Sequence, residues 1–303
     1  MTDEGDEMKI AYIILAYKNP RQLLRLTNAL QSASSAFFIH VDKSSDFIPF
    51  KKAFATSPNN LTFTKREYSY WGSIGCVKAC LNGLQQVLVS PERYDYLYFL
   101  SGQDYPIKSV SFIENFLFRN MNKAFIQCMK LPDGCWGGNG GIDRFTYYHY
   151  HKFKNRNVIK IANRCLKYLH AFFPERKSPS YIRQYYGGEF YFGFNREVAK
   201  YIADFVDSHE DYMNFHKYTY CPDEIFFQTI LKNSEQCDKI REGIADKSMT
   251  YVDWSRPEPR PAILTVSNFD SLLKSEKLFA RKFDCKVDEK ILDMIDEKIM
   301  NAS

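Results

Sequence analysis

Residues 9 to 17, KIAYIILAY, form an apolar run of strand length, and Pro20 soon afterwards is placed to open a helix that we expect to end near Leu30. The same order recurs downstream. AFFIHVD (36 to 42) and LTFTK (61 to 65) have the composition of strands, and residues 73 to 88 carry apolar side chains at helical spacing. Strands and helices that alternate in this way predict an α/β, Rossmann-like fold with a mostly parallel sheet flanked by helices.

Later segments extend this pattern. YLYFLSGQDYP (96 to 106) predicts a buried strand that ends abruptly in a polar turn, and AFIQCM (124 to 129) and GGEFYFGF (187 to 194) predict two more strands. NREVAKYIADFV predicts a helix capped by Asn195. The C-terminal VDEKILDMIDEKIM predicts an amphipathic helix whose apolar side is formed by Val287, Ile291, Ile295 and Ile299.

Residues 131 to 184 differ from the rest of the chain. They begin Gly-rich and continue as a basic, aromatic stretch, a composition that seldom belongs to a sheet core. We interpret them as a substrate-facing insertion. The chain has no internal repeat and no low-complexity linker, so we expect one compact domain from residue 8 to 303, preceded by a disordered extension of residues 1 to 7.

Composition bounds the function classes. The chain is 45% hydrophobic and 25% charged, as is ordinary for a globular protein, and its net charge of +5 fits an anionic ligand but is too weak to argue for nucleic acid. No apolar window reaches the roughly 18 residues of a membrane span, and the acidic N-terminus does not have the pattern of a secretory signal. The eight cysteines lack CxxC spacing, so we expect reduced thiols in a cytoplasmic protein and no zinc site.

Open α/β sheets bind ligands at the carboxyl ends of their strands, which makes the polar residues there the candidates. These are residues 17 to 19 after the first strand, Asp42 after the second, and SGQD (101 to 104) after the fourth. The first strand is followed by AYKNP, so a GxGxxG turn is absent, as is a P-loop. Dehydrogenase and kinase functions therefore lose their main support.

If a nucleotide diphosphate binds here, groups other than a metal ion must balance its negative charge. None of the 20 aspartates forms an Asp-x-Asp pair, the usual metal-holding motif of sugar-nucleotide transferases with such a sheet. Guanidinium and ammonium groups can stabilise a leaving phosphate instead. The C-terminal segment contains a basic cluster, although such clusters are commonly solvated surface. Its members are Arg256, Arg260, Lys274, Lys277, Arg281 and Lys282.

Asp223 and Glu224 follow a proline at the start of an apolar run, CPDEIFF. Carboxylates in the first turn of a helix complement the helix dipole, so a structural cap is the simpler interpretation on local grounds. The alternative is a catalytic base at a helix N-terminus that faces the ligand cleft. Asp223 would point to a different side of the helix from Glu224 and is the better candidate for capping or orienting the turn.

A series of short stretches occurs in an order and spacing that are specific when taken together. They are YIILAYKNPRQLLRL, FIHVDKSS, WGSIGCVKACL, YLYFLSGQDYPIKS, CPDEIFF, RPAIL and LFARKFD. From about residue 8 to 285, this series resembles the core-2/I-branching enzymes of glycosyltransferase family 14, which also includes peptide-O-xylosyltransferases. Residues 131 to 184 carry almost none of the resemblance.

The resemblance implies a GT-A-like fold and an inverting transfer from a UDP-sugar, without metal or another cofactor. The glutamate of the family's Pro-Asp-Glu motif acts as the base, which here matches Glu224. Arg260 and Lys282 match the residues that hold the diphosphate. Arg256 is a rival to Arg260, because the Arg-to-Lys separation of 22 positions is about one shorter than in the vertebrate branching enzymes.

Further site residues lie on the nucleotide side. Tyr17 is placed there by its position after the first strand, and the resemblance implies Asp42, which would face the uridine, and Trp71, which would flank the base. Asp104 lies where other GT-A enzymes hold a metal-binding acid, and a supporting role at the donor is weighed against a structural turn. The candidate acceptor contacts are Trp136, Tyr186 and Glu189, for which plain packing is the alternative.

The resemblance leaves the donor and the acceptor open. We choose UDP-N-acetylglucosamine and β-1,6 branching, with UDP-xylose and UDP-glucuronic acid as alternatives. Vertebrate members are membrane-anchored and disulfide-bonded, whereas the cysteine usage here suggests a bacterial cytoplasmic enzyme that acts on a polysaccharide precursor. The partners are then a UDP-sugar and a glycan acceptor, lipid-linked acceptors at the inner membrane included, but no nucleic acid. A non-catalytic carbohydrate- or nucleotide-binding module and a glycoside hydrolase are the rival functions.

Overall fold

The apolar runs and helical periodicities of the chain form the expected α/β architecture. A computed structural model describes residues 8–56, 60–151, 156–169, 175–234, 238–255 and 261–300. Its strands are Ile10–Ala16 (β1), Ser35–Val41 (β2), Leu61–Phe63 (β3), Tyr96–Ser101 (β4), Asp104–Pro106 (β5), Met129–Lys130 (β6), Tyr186–Gly187 (β7), Gly193–Asn195 (β8), Thr250–Val252 (β9) and Phe279–Arg281 (β10).

The helices lie mostly between these strands. They are Pro20–Ala29 (α1), Ile48–Ala53 (α2), Gly75–Leu88 (α3), Val110–Arg119 (α4), Asp143–Thr146 (α5), Arg156–Leu169 (α6), Arg196–Ser208 (α7), Glu210–His216 (α8), Phe226–Lys232 (α9), Asp238–Gly243 (α10), Phe269–Lys274 (α11) and Lys290–Ile295 (α12). Short 3-10 turns cover Gly134–Trp136, Pro222–Glu224 and Val266–Asn268, and a π-helical turn, Asp296–Met300, follows α12.

The main sheet has the order β3-β2-β1-β4-β8. The pairs β1 with β2, β1 with β4 and β2 with β3 are parallel, and only the edge strand β8 runs antiparallel to β4. Because the parallel strands point the same way, β1, β2 and β4 all end at one edge of the sheet. The predicted class, a mostly parallel sheet flanked by helices, is confirmed.

Both faces of this sheet are buried, which explains why β1 is apolar along its whole length. Ile10, Tyr12 and Ile14 pack into a cluster that also contains residues of α1 and α12. Ala11 and Ile13 face a second cluster, which includes residues of α3, α7 and α9. The first strand thus shares a core with α1, which follows it, and with α12 in the C-terminal region. The bounds predicted for the domain and for its insertion stay predictions.

Two element predictions are wrong, and a third is wrong only in where the helix starts. Residues 124 to 129 form no continuous strand, because Ala124 and Phe125 make only single bridges to Ile244 and Gly193. Residues 187 to 194 divide into the ends of two short strands, β7 and β8. The C-terminal helix begins only at Lys290, and Val287 lies before it with 57% of its surface exposed. Ile291 and Ile295 are buried as expected.

A second, three-stranded sheet has the order β5-β10-β9 and brings the C-terminal region to the end of β4. β10 runs antiparallel to β5, and this register places Arg281 opposite Asp104. Residues 96 to 106 therefore form two strands rather than one strand and a turn. They supply β4 to the main sheet and β5 to the small one.

Candidate active site at the carboxyl edge of the sheet

The loops after β1 and β4 meet at the edge where both strands end. Tyr17 follows β1, and its hydroxyl donates to the Gln103 side chain across 3.0 Å. Lys18 is 2.6 Å from the Asp284 carboxylate, just after β10. Tyr17 is itself half exposed. The structure thus places Tyr17 on the open side of this edge, and its predicted contact with a nucleotide stays a prediction.

Asp42 lies where β2 ends and is almost completely buried. One carboxylate oxygen accepts from the backbone N–H and hydroxyl of Ser44, and the other accepts from the same two groups of Ser69. Burial alone would raise the pKa of Asp42, but the hydrogen bonds from Ser44 and Ser69 hold it below its ordinary value. Since these four bonds fill the acceptor positions of a carboxylate, the geometry favours a loop-holding role for Asp42.

The loop held by Asp42 continues to Trp71 and Gly72, which lie against the segment before Glu224. Gly72 has a φ of +77°, and its carbonyl accepts from the backbone N–H of Cys221 across 3.0 Å. The Trp71 ring meets the Tyr220 ring edge to face, with 5.5 Å between their centroids. Trp71 is 49% exposed, so a large aromatic surface stands open next to the Pro-Asp-Glu turn.

Glu224 ends the 3-10 turn that precedes α9, and its side chain does not cap that helix. One of its carboxylate oxygens lies 2.5 Å from Nη1 of Arg144. The exposed fraction is 36% for the Glu224 side chain and 21% for that of Arg144, so the ion pair is reached by solvent from one side. A carboxylate that is held by one cation and still exposed can accept a proton from a bound hydroxyl.

Arg144 comes from the region interpreted as an insertion. Its guanidinium carbon lies 4.0 Å from the centre of the Trp136 ring and 5.6 Å from that of Tyr220. Burial lowers the pKa of Arg144, but the adjacent Glu224 carboxylate more than offsets this and leaves that pKa above its ordinary value. The ring of Trp136 also packs on Gly187, where an added Cβ would lie 2.4 Å from it. Trp136 therefore supports the cation that holds Glu224.

Asp223 does not cap α9 either, so that part of its prediction is wrong, and the alternative that it orients the turn stays a prediction. Its Oδ1 is buried and has no hydrogen-bond partner among the described residues. Burial and then the neighbouring Glu224 charge raise the pKa of Asp223 to about 7. Both residues are half-buried, and Oδ1 is the part of Asp223 that is shielded from solvent.

The backbone after β7 joins Glu224 to a cleft. The N–H of Gly188 donates to the Glu224 carbonyl across 2.9 Å, and the Glu189 side chain accepts from Trp254 across 3.4 Å. Glu189 and Trp254 line a cavity of about 310 Å³. Tyr186 differs from its neighbours, because its backbone N–H and carbonyl are both bonded to the Thr229 hydroxyl of α9. Of the predicted acceptor contacts, Glu189 lines this cavity and Trp136 lies against Arg144, and their contact with an acceptor stays a prediction.

Asp104 is completely buried beneath the same edge. It accepts hydrogen bonds from the backbone N–H and hydroxyl of Ser101, and its Oδ1 lies 3.6 Å from Nε of Arg281. Burial raises the pKa of Asp104, and Arg281 opposes this rise. The Arg281 guanidinium lies 3.7 Å from the centre of the Tyr191 ring, and its Nη1 has no hydrogen-bond partner within the described ranges. A cation therefore occupies the position next to Asp104.

Lys282 follows Arg281 and is half-buried, with its carbonyl accepting from the backbone N–H of Leu264 across 2.9 Å. Burial raises the pKa of Asp104, and the Lys282 charge opposes this rise less than Arg281 and the Ser101 hydrogen bonds do. Lys282 is thus at the predicted edge. Arg256 and Arg260 lie outside the described residues, and their roles stay predictions.

Two cations at this edge were not assigned a role from the sequence. Arg281 belonged to the basic C-terminal cluster, and its pairing with Asp104 depends on the register of β5 with β10. Arg144 is 80 positions from Glu224, in a stretch without regular periodicity. No local signal connects those two residues, so only the fold could bring them together.

No helix in the described part of the chain combines the length and the apolar composition needed to cross a bilayer. Nor do the described ranges contain a group of three or more His, Cys, Asp or Glu side chains arranged to hold a metal ion. The predictions that the protein needs no metal and that it is cytoplasmic stay predictions.

The family model of the Core-2/I-Branching enzyme matches residues 10 to 273, and thus both the Pro-Asp-Glu turn and the segment that carries Arg144. The chain belongs to the core-2/I-branching enzyme family. The predicted family is confirmed.

Individual relatives of this core-2/I-branching family member are distant in sequence. Xylosyltransferase 2 of Canis lupus familiaris is 26% identical over 312 residues, which cover 97% of this chain and 34% of the relative. The Homo sapiens xylosyltransferase 2 is 25% identical, with the same two coverages. Xylosyltransferase 1 of Canis lupus familiaris is 25% identical, and the match covers 96% of this chain and 31% of the relative. The chain spans about a third of the length of these relatives.

Among solved structures, 4-diphosphocytidyl-2C-methyl-D-erythritol synthase from Anaerococcus prevotii DSM 20548 matches with a TM-score of 0.35 and 14% identity. The match covers 68% of this chain and 77% of that one. A likeness at this score carries no argument about function.

Proposed function

We propose that this protein is an inverting glycosyltransferase with a GT-A-like fold, which moves a sugar from a UDP-sugar to an acceptor hydroxyl with Glu224 as the base. The observation that carries the proposal is the Glu224 side chain itself. It is a partly exposed carboxylate at the carboxyl edge of the sheet, held by Arg144 across 2.5 Å. Family membership supports the reaction class.

In this mechanism Glu224 removes the proton of the acceptor hydroxyl, and the oxygen attacks the anomeric carbon from the face opposite UDP. One displacement inverts the anomeric centre. Arg144 contributes by holding one carboxylate oxygen, which leaves the other free to accept the proton. The stacking of Arg144 on Trp136 fixes this arrangement, because the guanidinium is held from one face by the ring.

In this proposal, basic side chains rather than a metal ion stabilise the negative charge of the departing UDP. Lys282 and Arg260 hold the diphosphate, as the family resemblance implies, and electrostatic stabilisation of a leaving group by such cations is a large catalytic effect. Two observations support it. The sequence contains no Asp-x-Asp pair, and the acid at the equivalent strand end, Asp104, already faces the Arg281 cation.

The donor sugar has two candidates. UDP-N-acetylglucosamine, with a β-1,6 branch as the product, follows from the resemblance to the branching enzymes. UDP-xylose is favoured by a separate observation, since the relatives that match along most of this chain are named xylosyltransferases. For the acceptor sugar we propose the cavity of about 310 Å³ that Glu189 and Trp254 line, because an aromatic ring and polar groups suit a sugar surface.

The test is release of UDP from a panel of UDP-sugars, each measured with excess EDTA and again with Mg²⁺ or Mn²⁺, in the presence of simple glycan acceptors. We expect turnover in EDTA that one donor dominates, with UDP-xylose and UDP-N-acetylglucosamine as the first two arms. Turnover that requires a metal would contradict the proposed role of Lys282 and Arg260. Sugar release from a polysaccharide without any nucleotide would indicate a hydrolase, and UDP binding without turnover on any acceptor would indicate a binding module.

A further inference from the structure

The net positive charge of this chain is concentrated in one segment. Residues 144 to 174 contain seven of its 41 Lys and Arg residues and none of its 36 Asp and Glu residues. This leaves 34 cations against 36 acids in the rest of the chain. The catalytic proposal uses only Arg144 from this segment, so the other six cations have no role in it.

Helix α6 forms the middle of this basic segment, and its sequence RNVIKIANRCLKYL includes four cations and no acid. Its outer face is apolar at three positions. Val158 is 40% exposed, Ile161 is 64% exposed and Cys165 is also exposed. These positions are three and four residues apart, which places them in one stripe along a helix. Arg164, beside the stripe, is exposed as well.

The opposite side of α6 is fastened to the protein. Ile159 is buried, and the Asn163 side chain both accepts from the backbone N–H of Tyr150 and donates to its carbonyl, across 2.8 and 3.3 Å. Tyr150 lies on the same stretch of chain as Arg144. The exposed stripe is therefore presented outward by a helix that is attached close to the candidate active site.

We propose that the exposed face of α6, formed by Val158, Ile161, Arg164 and Cys165, binds the surface of an anionic lipid bilayer. An apolar stripe beside cationic residues on a helix that lies flat is the pattern of interfacial membrane binding. Each cation near an anionic surface strengthens binding, whereas the apolar residues enter the headgroup boundary. Two copies of the chain would bring like-charged segments together, which disfavours self-association, and nucleic acid would not cover the apolar stripe.

Binding through α6 would hold the protein at a bilayer, where an acceptor carried on a lipid would lie. This inference does not depend on the transfer reaction, because membrane binding can be measured without a donor or an acceptor. A protein that binds vesicles but releases no UDP would support this inference while contradicting the proposed function. A protein that releases UDP but does not bind vesicles would support the proposed function and contradict this inference.

The experiment is co-sedimentation of the full chain with vesicles of phosphatidylcholine alone or mixed with roughly one-third phosphatidylglycerol. We expect binding to the mixed vesicles, little to phosphatidylcholine alone, and loss of binding at about 0.5 M NaCl. Ile161→Asn should weaken binding about tenfold, and Arg164→Gln about fivefold. Ile48→Asn is the matched control, because Ile48 is 60% exposed on α2, outside the basic segment, and should bind as the unmodified protein does.

Three results would overturn the inference. The first is equal sedimentation with both vesicle types, and the second is equal binding by Ile161→Asn and Ile48→Asn. The third is a concentration-dependent dimer, seen by light scattering, that Ile161→Asn abolishes in the absence of lipid, which would assign the face to a second copy. Val158→Asn repeats the test at a second exposed position, and circular dichroism confirms that each variant is folded.

Discussion

Replacing Arg144 by glutamine removes the cation that holds Glu224 and should lower activity. Nη1 lies 2.5 Å from the carboxylate oxygen, so the two charge centres are about 4 Å apart, which corresponds to about 4 kcal/mol at an effective dielectric constant near 20. The two side chains are 36% and 21% exposed, and solvent screening reduces this attraction to about 1–2 kcal/mol. That amount corresponds to about a tenfold change in a rate constant.

The loss follows from the role of a base. Without Arg144 the Glu224 carboxylate is no longer held in one orientation, so we expect kcat/KM, measured as UDP release, to fall about tenfold in a folded enzyme. Arg25→Gln is the control, because Arg25 is 24% exposed and pairs with Asp293 and Asp296, both across 2.7 Å. A folded Arg144→Gln enzyme with an unchanged kcat/KM would refute this reasoning.

Two further predictions concern stability. Burial and the Glu224 charge raise the pKa of Asp223 to about 7. Between about pH 4 and 7 the native state therefore keeps a proton that the unfolded chain has lost. The stability of the protein falls as the pH rises through that window. Asp223→Asn should therefore be more stable than the unmodified protein at pH 8, by up to about 4 kcal/mol, and nearly equal at pH 4; urea unfolding with no such difference would contradict this. In Gly187→Ala, the new Cβ would lie 2.4 Å from the Trp136 ring, and we expect a loss of about 1–3 kcal/mol. Gly134→Ala, whose Cβ meets nothing within 4 Å, should melt at an unchanged temperature, and equal Tm values for the two would count against the packing described.

The first part of the fold could be predicted from the sequence because its signals are local. β1, β2 and β4 are buried on both faces and hence predominantly apolar, and α3 shows its apolar residues at helical spacing. The prediction failed where pairing is brief. Residues 124 to 129 touch neighbouring segments through single bridges, and an apolar composition cannot distinguish that from a full strand.

The candidate site could be predicted only in part. The positions of Glu224, Lys282 and Asp104 at this edge could be predicted because each belongs to a short stretch with a recognisable order, and their roles stay predictions. Arg144 could not be found in that way, because its contact with Glu224 joins two loops 80 positions apart. The buried Oδ1 of Asp223 was missed for a related reason, since helical spacing was assumed where the chain forms a 3-10 turn that ends at Glu224.

The central claim is that Glu224 is the catalytic base, and Glu224→Gln tests it most directly because the amide keeps the shape and loses the basicity. We predict that kcat for UDP release in EDTA falls about a thousandfold, while calorimetry shows unchanged UDP binding. Glu197→Gln, which alters an exposed ion pair with Lys239, should keep full activity. A Glu224→Gln enzyme that retains a tenth or more of kcat, or one that has lost UDP binding, would contradict the account.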